Sequence, residues 1–198
     1  MTFLHLMTTP HAYHTLYHEC RSTNIPLDSI ISHSRALTLP YLQAVVREGL
    51  RIYPAATGLT PKIAPPEGDT LDDGTYIPAG TQVGVASWLI YRNTAVYGPD
   101  ADIFRPERWI ESGEAQVVKM KRSLELLFGY GRFKCLGQNV AMMELPKVIF
   151  ELVRRFDWSL EDPLRPLERN RCYGLFLQKG MWVRVCEREG EGGRKGGI

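Results

Sequence analysis

Apolar residues recur every three or four positions from Leu136 to Phe156: Leu136, Val140-Ala141, Leu145, Val148-Ile149, Leu152-Val153 and Phe156. That spacing places them along an α-helix of about five turns. A helix this apolar needs neighbours on several sides, so it is expected to run through a core rather than over a surface. Pro146 stands in its middle, removes one backbone donor and is expected to bend the axis. The stretch LPYLQAVVREGLRIYP at 39–54 supplies a second helix. Pro40 suits its first turn, Pro54 stops it after Tyr53, and Leu39, Leu42, Val45-Val46, Gly49-Leu50 and Tyr53 form its apolar stripe. Helices at 40–53 and 137–155 with short extended pieces elsewhere predict a mainly α fold with small β-sheets. The chain's 198 residues suffice for one domain.

The other segments are shorter. Residues 3–20 carry a weak helical pattern interrupted at Pro10, and 21–36 is polar and punctuated, as in a connector. TYIPAGTQVGVAS predicts a hairpin around Pro78-Ala79-Gly80, with a short helix at 87–92 after it. The aromatic, turn-rich NTAVYGPDADIFRPERW reads as a long loop packed by Tyr97, Phe104 and Trp109. Residues 111–123 read as an exposed insertion. A terminal hairpin is expected at 174–186, turning at Lys179-Gly180, and the charged, glycine-rich 189–198 is expected to be a disordered tail.

Composition excludes several function classes. A formal net charge of +2 argues against nucleic-acid binding. Four scattered cysteines without a CxxC pair argue against a zinc knuckle or a disulfide framework, and make a reducing, intracellular setting the default. No run of about 18 apolar residues is present, so no transmembrane segment is expected, and the first residues do not form a signal peptide.

The chemistry concentrates in FGYGRFKCLG at 128–137. Three glycines let the backbone fold back and approach a flat cofactor, and a helix starting just after Cys135 aims free N–H groups at its sulfur. Such a helix end favours the thiolate, the form that binds heme iron. The alternative at this point is a glycine-rich turn carrying an ordinary half-buried cysteine. His14 and His18, four apart on one helix face with Glu19 and Cys20 nearby, are the rival metal-binding or interaction constellation, weighed against a solvated helix face. Glu48 and Arg51 are neighbours on the 40–53 helix, which by itself means no more than a surface ion pair worth about 0–1 kcal/mol.

Taken together, EGLR at 48–51, FRPERW at 104–109 and FGYGRFKCLG at 128–137, with YIPAGTQV between them, resemble the C-terminal part of a fungal cytochrome P-450, a heme-thiolate monooxygenase. The resemblance covers nearly all of 10–188 and implies that 1–188 is part of one cytochrome P-450 domain. It implies heme b with Cys135 as axial ligand, Phe128, Gly129, Gly131 and Gly137 against the heme, and Glu48, Arg51 and Arg108 as a buried triad behind the loop. The family's usual basic residue two before the cysteine is here Phe133, so Lys62, Arg132 and Lys134 are the candidates for binding the heme propionates. NADPH-cytochrome P-450 reductase is the implied electron donor, and a small organic substrate, in secondary metabolism or xenobiotic oxidation, the implied target. Full-length relatives sit at the endoplasmic reticulum membrane through an anchor not found in this chain.

The resemblance also sets what is not matched. Met1 to Thr8 resemble only the last turns of the family's oxygen-activation helix, and Thr2, Thr8 and Thr9 lack its acidic-Thr pair, so no catalytic residue is assigned. The alternative function is therefore a truncated, catalytically incompetent piece of a monooxygenase. In that case the apolar faces of the helices at 40–53 and 136–156 are expected to be exposed.

Overall fold

The computed structural model describes residues 1–57 and 61–188. Four helices come first: α1 (Thr2–Thr8), α2 (Pro10–Ser22), α3 (His33–Leu37) and α4 (Pro40–Ile52). Four two-residue strands follow, β1 (Lys62–Ile63), β2 (Asp69–Thr70), β3 (Tyr76–Ile77) and β4 (Gln82–Val83). Short helices α5 (Ser87–Ile90), α6 (Thr94–Tyr97) and α7 (Arg108–Glu111) lead to α8 (Glu114–Glu125). Two 3-10 turns, Leu126–Phe128 and Gly131–Phe133, precede α9 (Gln138–Arg155). Strands β5 (Phe156–Leu160), β6 (Arg169–Cys172), β7 (Phe176–Lys179) and β8 (Val183–Glu187) end the described chain. The architecture is mainly helical, with two-stranded sheets only among the described residues.

Helix α4 is the centre. Its own N-cap, Leu39, has no hydrogen-bonding side chain, and Glu19 of α2 takes over: its carboxylate accepts the N–H groups of Tyr41 and Leu42 at 2.8 and 2.7 Å. Two orphan donors are satisfied and a negative charge sits at the positive end of the helix. Leu42, Val45, Val46 and Ile52 join a core with Leu6 and Leu16 from α1 and α2 and Phe150 and Val153 from α9. Each such fully buried side chain contributes about 1.5–3 kcal/mol of transfer free energy. Ala44, on the same helix, faces a second cluster built from Tyr91, Tyr97, Trp109, Met120 and Leu124. Gly49 lets α1 come close, since a Cβ there would overlap the side chain of Thr2. Buried on both sides, α4 does not show the exposed apolar face expected of a truncated chain.

Helix α9 does show it. The helix is unbroken through the buried Pro146; its second half enters the core through Ile149, Phe150 and Val153, and its first half touches that core only through the partly buried Met142 and Leu145. Val140, Met143 and Val148 are exposed, and Leu136 just ahead of the helix is fully so. Neighbours cover α9 from the side of α2, α3 and α4. Near its end it ties down the 21–36 connector. Glu151 accepts the Ile31 N–H at 2.8 Å, and Arg154 donates to the carbonyls of Ile25 and Pro26 at 2.9 and 3.1 Å and to that of Ser29.

The expected strand partners are corrected. Residues 174–186 are not one hairpin: β7 pairs with β6 around Gly174, and β8 pairs with β5, from Phe156↔Glu187 to Leu160↔Val183. Likewise β3 and β4 flank the Pro78-Ala79-Gly80 turn but pair with β2 and β1. A turn signal marks where the chain reverses, while pairing is chosen by the edge that packing leaves free. These strands are too exposed for an apolar pattern to specify register. The supposed insertion at 111–123 is mostly α8, which buries Met120 and Leu124. The tail at 189–198 lies outside the described residues.

Candidate functional site

Glu48 is the centre of a buried hydrogen-bond network. Its side chain and that of Arg51, one turn apart on α4, are both 0% exposed, which rules out a surface ion pair. Arg51 grips the carboxylate with two N–H groups, Nε to Oε2 at 2.9 Å and Nη2 to Oε1 at 2.7 Å. Arg108 of α7 adds Nε to Oε1 at 3.1 Å, and the Arg105 backbone N–H reaches Oε1 at 2.8 Å. Trp109 completes the set, its indole N–H donating to Oε2 at 2.9 Å. Burial disfavours the charged carboxylate, but the Arg51 hydrogen bonds and charge, then Arg108 and the Arg105 N–H, outweigh it and hold the Glu48 carboxyl below the usual carboxylate range.

The arginines use their remaining donors on a single stretch of chain. Arg51 donates to the carbonyls of Tyr91, Ala101 and Ile103 at 2.7, 2.6 and 3.0 Å. Arg108 donates to the Asp100 carboxylate and carbonyl, both at 2.9 Å, to the Ile103 carbonyl at 3.0 Å and to the Tyr97 carbonyl. The structure thus brings Glu48, Arg51 and Arg108 together and uses them to organise the irregular 91–103 segment. None of these bonds ends in 128–137, so any effect on the cysteine loop is indirect.

The loop itself is closed by a short bond: the Cys135 N–H donates to the Phe128 carbonyl at 2.7 Å. The reversal between them uses Gly129 and Gly131 at φ of +72° and +66°, a region L side chains rarely enter. Residues 130–137 are exposed, and Cys135 carries a free thiol. Gly137 is the N-cap of α9, and a Cβ on it would lie 3.8 Å from Cys135 Sγ. No side chain caps α9 and no acidic residue stands in its first turn, so the positive end of an 18-residue helix lies open close to the thiol.

Two of the three candidate cations gather beside this loop. Lys62 Nζ lies 4.6 Å from the centroid of the Phe133 ring and Arg132 Cζ lies 5.7 Å from it. Lys134 is exposed, with its backbone N–H donating to Gly131. Phe128 is half-buried at the base of the loop. The rival constellation does not assemble. His14 and His18 are exposed on α2, Glu19 is occupied at the start of α4, and Cys20 is buried, which pushes its thiol pKa up. Among the described residues no three His, Cys, Asp or Glu side chains are placed to hold a metal.

Sequence reasoning missed Trp109 as a hydrogen-bond donor and Asp100 as a partner of Arg108. The Trp109 contact is made across the fold, sixty-one positions away on α4, whereas Asp100 and Arg108 both lie within DADIFRPERW, eight apart in an irregular segment whose turns no periodic pattern specifies. The missed helix α8 did leave a signal, Val117, Met120 and Leu124 at helical spacing.

Comparison with known proteins places the chain among its relatives. The chain is 44% identical over 190 residues to the cytochrome P-450 monooxygenase ABA1 of Pyricularia oryzae, covering 94% of this chain and 37% of that protein. It is 42% identical over 191 residues to the cytochrome P-450 monooxygenase aba1 of Botryotinia fuckeliana, covering 96% and 37%. With the pisatin demethylase of Fusarium vanettenii it shares 40% over 154 residues, covering 77% and 28%. The chain therefore spans between 28% and 37% of the length of these curated relatives. The cytochrome P-450 family signature matches residues 1–181, and the chain belongs to the cytochrome P-450 family.

Proposed function

We propose that Cys135 is the axial thiolate ligand of a heme b iron. On this reading the chain is the heme-ligating part of a monooxygenase that inserts one oxygen atom of O2 into a small organic substrate. The observation that carries the reading is the free, exposed Cys135 thiol at the glycine-lined, uncapped start of α9. The residues present fit the group: one soft donor with no competing ligand cluster among the described residues, and no Cβ at Gly129, Gly131 or Gly137 to obstruct a flat ring. When bound, heme supplies the iron at which dioxygen is activated, with electrons from NADPH through a cytochrome P-450 reductase.

Each residue has a definite task. The start of α9, with no side-chain cap and no acidic residue in its first turn, brings the positive end of the helix close to the Cys135 sulfur. Lys62 and Arg132, gathered beside Phe133, offer cations to the propionates in place of the basic residue that Phe133 replaces; Lys134 is the weaker candidate because nothing draws it toward that cluster. Phe128, half-buried at the base of the loop, would pack against the heme, and Glu48, Arg51 and Arg108 hold the 91–103 segment, whose Tyr91, Tyr97 and Ala101 cluster with Met120 and Leu124 of α8.

A second reading has its own support. The exposed apolar side of α9 and the share of the relatives that is covered both favour a chain that carries the ligand loop but does not oxidise substrate by itself. One experiment addresses both. The chain is expressed with heme supply, and the ferrous CO spectrum and substrate oxidation are recorded beside Cys135→Ala. A thiolate-type Soret band that disappears in the variant is expected. Heme uptake without oxidation, with reductase supplied, selects the second reading, and no heme uptake at all overturns the ligand assignment.

A further inference from the structure

The arginines of the buried network end on the 91–103 segment, which leaves open how that network reaches the cysteine loop. Trp109 belongs to both. Its indole N–H is one of only two donors to Glu48 Oε2, whereas Oε1 receives three. Its ring, 6% exposed, lies in the apolar cluster with Tyr97, Met120 and Leu124, and Leu127 packs at the edge of that cluster. The rings of Trp109 and Tyr97 are 6.2 Å apart, and the Tyr97 hydroxyl donates to the Met120 carbonyl on α8 at 3.5 Å. Helix α8 continues directly into the Leu126–Phe128 turn, whose last carbonyl accepts the Cys135 N–H.

From this chain of contacts we infer that Trp109 is the positioning residue through which the buried carboxylate–arginine network sets the geometry of the Cys135 loop. The inference rests on the proposed iron ligation for its functional meaning, though not for its physics. An indole is a donor-only group on a large apolar body, so it can end a charge network on one side and pack a cluster on the other. Arg51 meets the same cluster only at the Tyr97 ring, its Cζ 5.1 Å from the centroid, and has no apolar body to pack within it. Phenylalanine keeps most of the ring but leaves Glu48 Oε2 with a single donor.

Native-state hydrogen exchange on the full chain, without heme, tests the coupling. In the wild type the Trp109 indole N–H and the Cys135 amide are expected to exchange through one opening, with the same urea dependence. In Trp109→Phe the Cys135 amide is expected to exchange faster by about fivefold, the ratio given by a net hydrogen-bond loss of about 1 kcal/mol, after correction for global stability. Amides of α2 should keep their corrected rates. If Trp109→Phe does not fold, the wild-type comparison decides alone. Different urea dependences for the two wild-type protons, or a Cys135 rate within about twofold of wild type in the variant, overturn the inference. Heme titration of the same samples separates the two claims. Coupled exchange without heme uptake removes the ligand reading and leaves the coupling, and heme uptake with uncoupled exchange does the reverse.

Discussion

A carboxylate buried among five donors is stable only while all of its partners are present. Removing Arg51 strands the Glu48 charge, and removing Glu48 strands two guanidinium groups, so Arg51→Ala and Glu48→Ala should each lose about 3–5 kcal/mol by urea denaturation and retain little heme. Normal heme content in either variant would remove the network from any role in ligation. The pH dependence has a definite sign. The folded Glu48 carboxyl lies below the usual range, so its stabilisation is complete above that range and is lost as pH falls through it to the folded value. His5, stacked on Phe104, adds in the same direction. Burial and then the Met1 ammonium push its pKa down to about 4, so stability also falls between about pH 6.5 and 4 as the unfolded chain takes up that proton. Glu48→Gln should therefore start lower at pH 7 and lose the Glu48 part of the acid sensitivity, while the His5 part grows, because the Glu48 charge that favours protonated His5 is gone. Parallel stability curves from pH 7 to 3 would contradict the Glu48 assignment.

Helix α9 shows what one element does in two halves. Its start presents the cysteine loop, and its end clamps the connector that precedes α3 through Glu151 and Arg154. Arg154 is almost fully buried and its donors are spent on Glu151 and on carbonyls of residues 25–29. Arg154→Ala should cost about 3 kcal/mol or more and open the connector to protease cleavage within 21–32 before the rest of the chain unfolds. Cleavage distributed as in the wild type would show that the connector is held by other means. The boundaries of α4 and α9 were legible in the sequence because Pro40, Pro54 and Gly137 end periodic runs. Strand pairing was not, since β3, β4, β7 and β8 each carry a recognisable extended pattern but no local mark of the partner whose edge is free.

For the whole molecule, the unpartnered side of α9 is the main liability. Val140, Met143 and Val148 on α9 and Leu136 in the loop just ahead of it are exposed, an arrangement that promotes self-association in water. Light scattering on the heme-free chain should show species larger than a monomer, and the double variant Val140→Lys, Val148→Lys should shift the distribution toward monomer with little change in helix content. A wild-type chain that stays monomeric at high concentration would show that this surface is not adhesive.

Local sequence was enough to determine the helical class of the fold, the two principal helices, the glycine-lined cysteine loop and the spacing of Glu48 and Arg51, because each depends on residues within a few turns of one another. It could not decide between a surface ion pair and a buried network. That choice depends on which segments cover α4, and residues 91–109 do so from forty to sixty positions away. Nor could it show that Trp109 donates to Glu48, that Lys62 and Arg132 both lie near the Phe133 ring, or that α9 leaves Val140, Met143 and Val148 exposed. Burial and long-range hydrogen bonds are properties of packed neighbours, and tertiary structure alone supplies the neighbours.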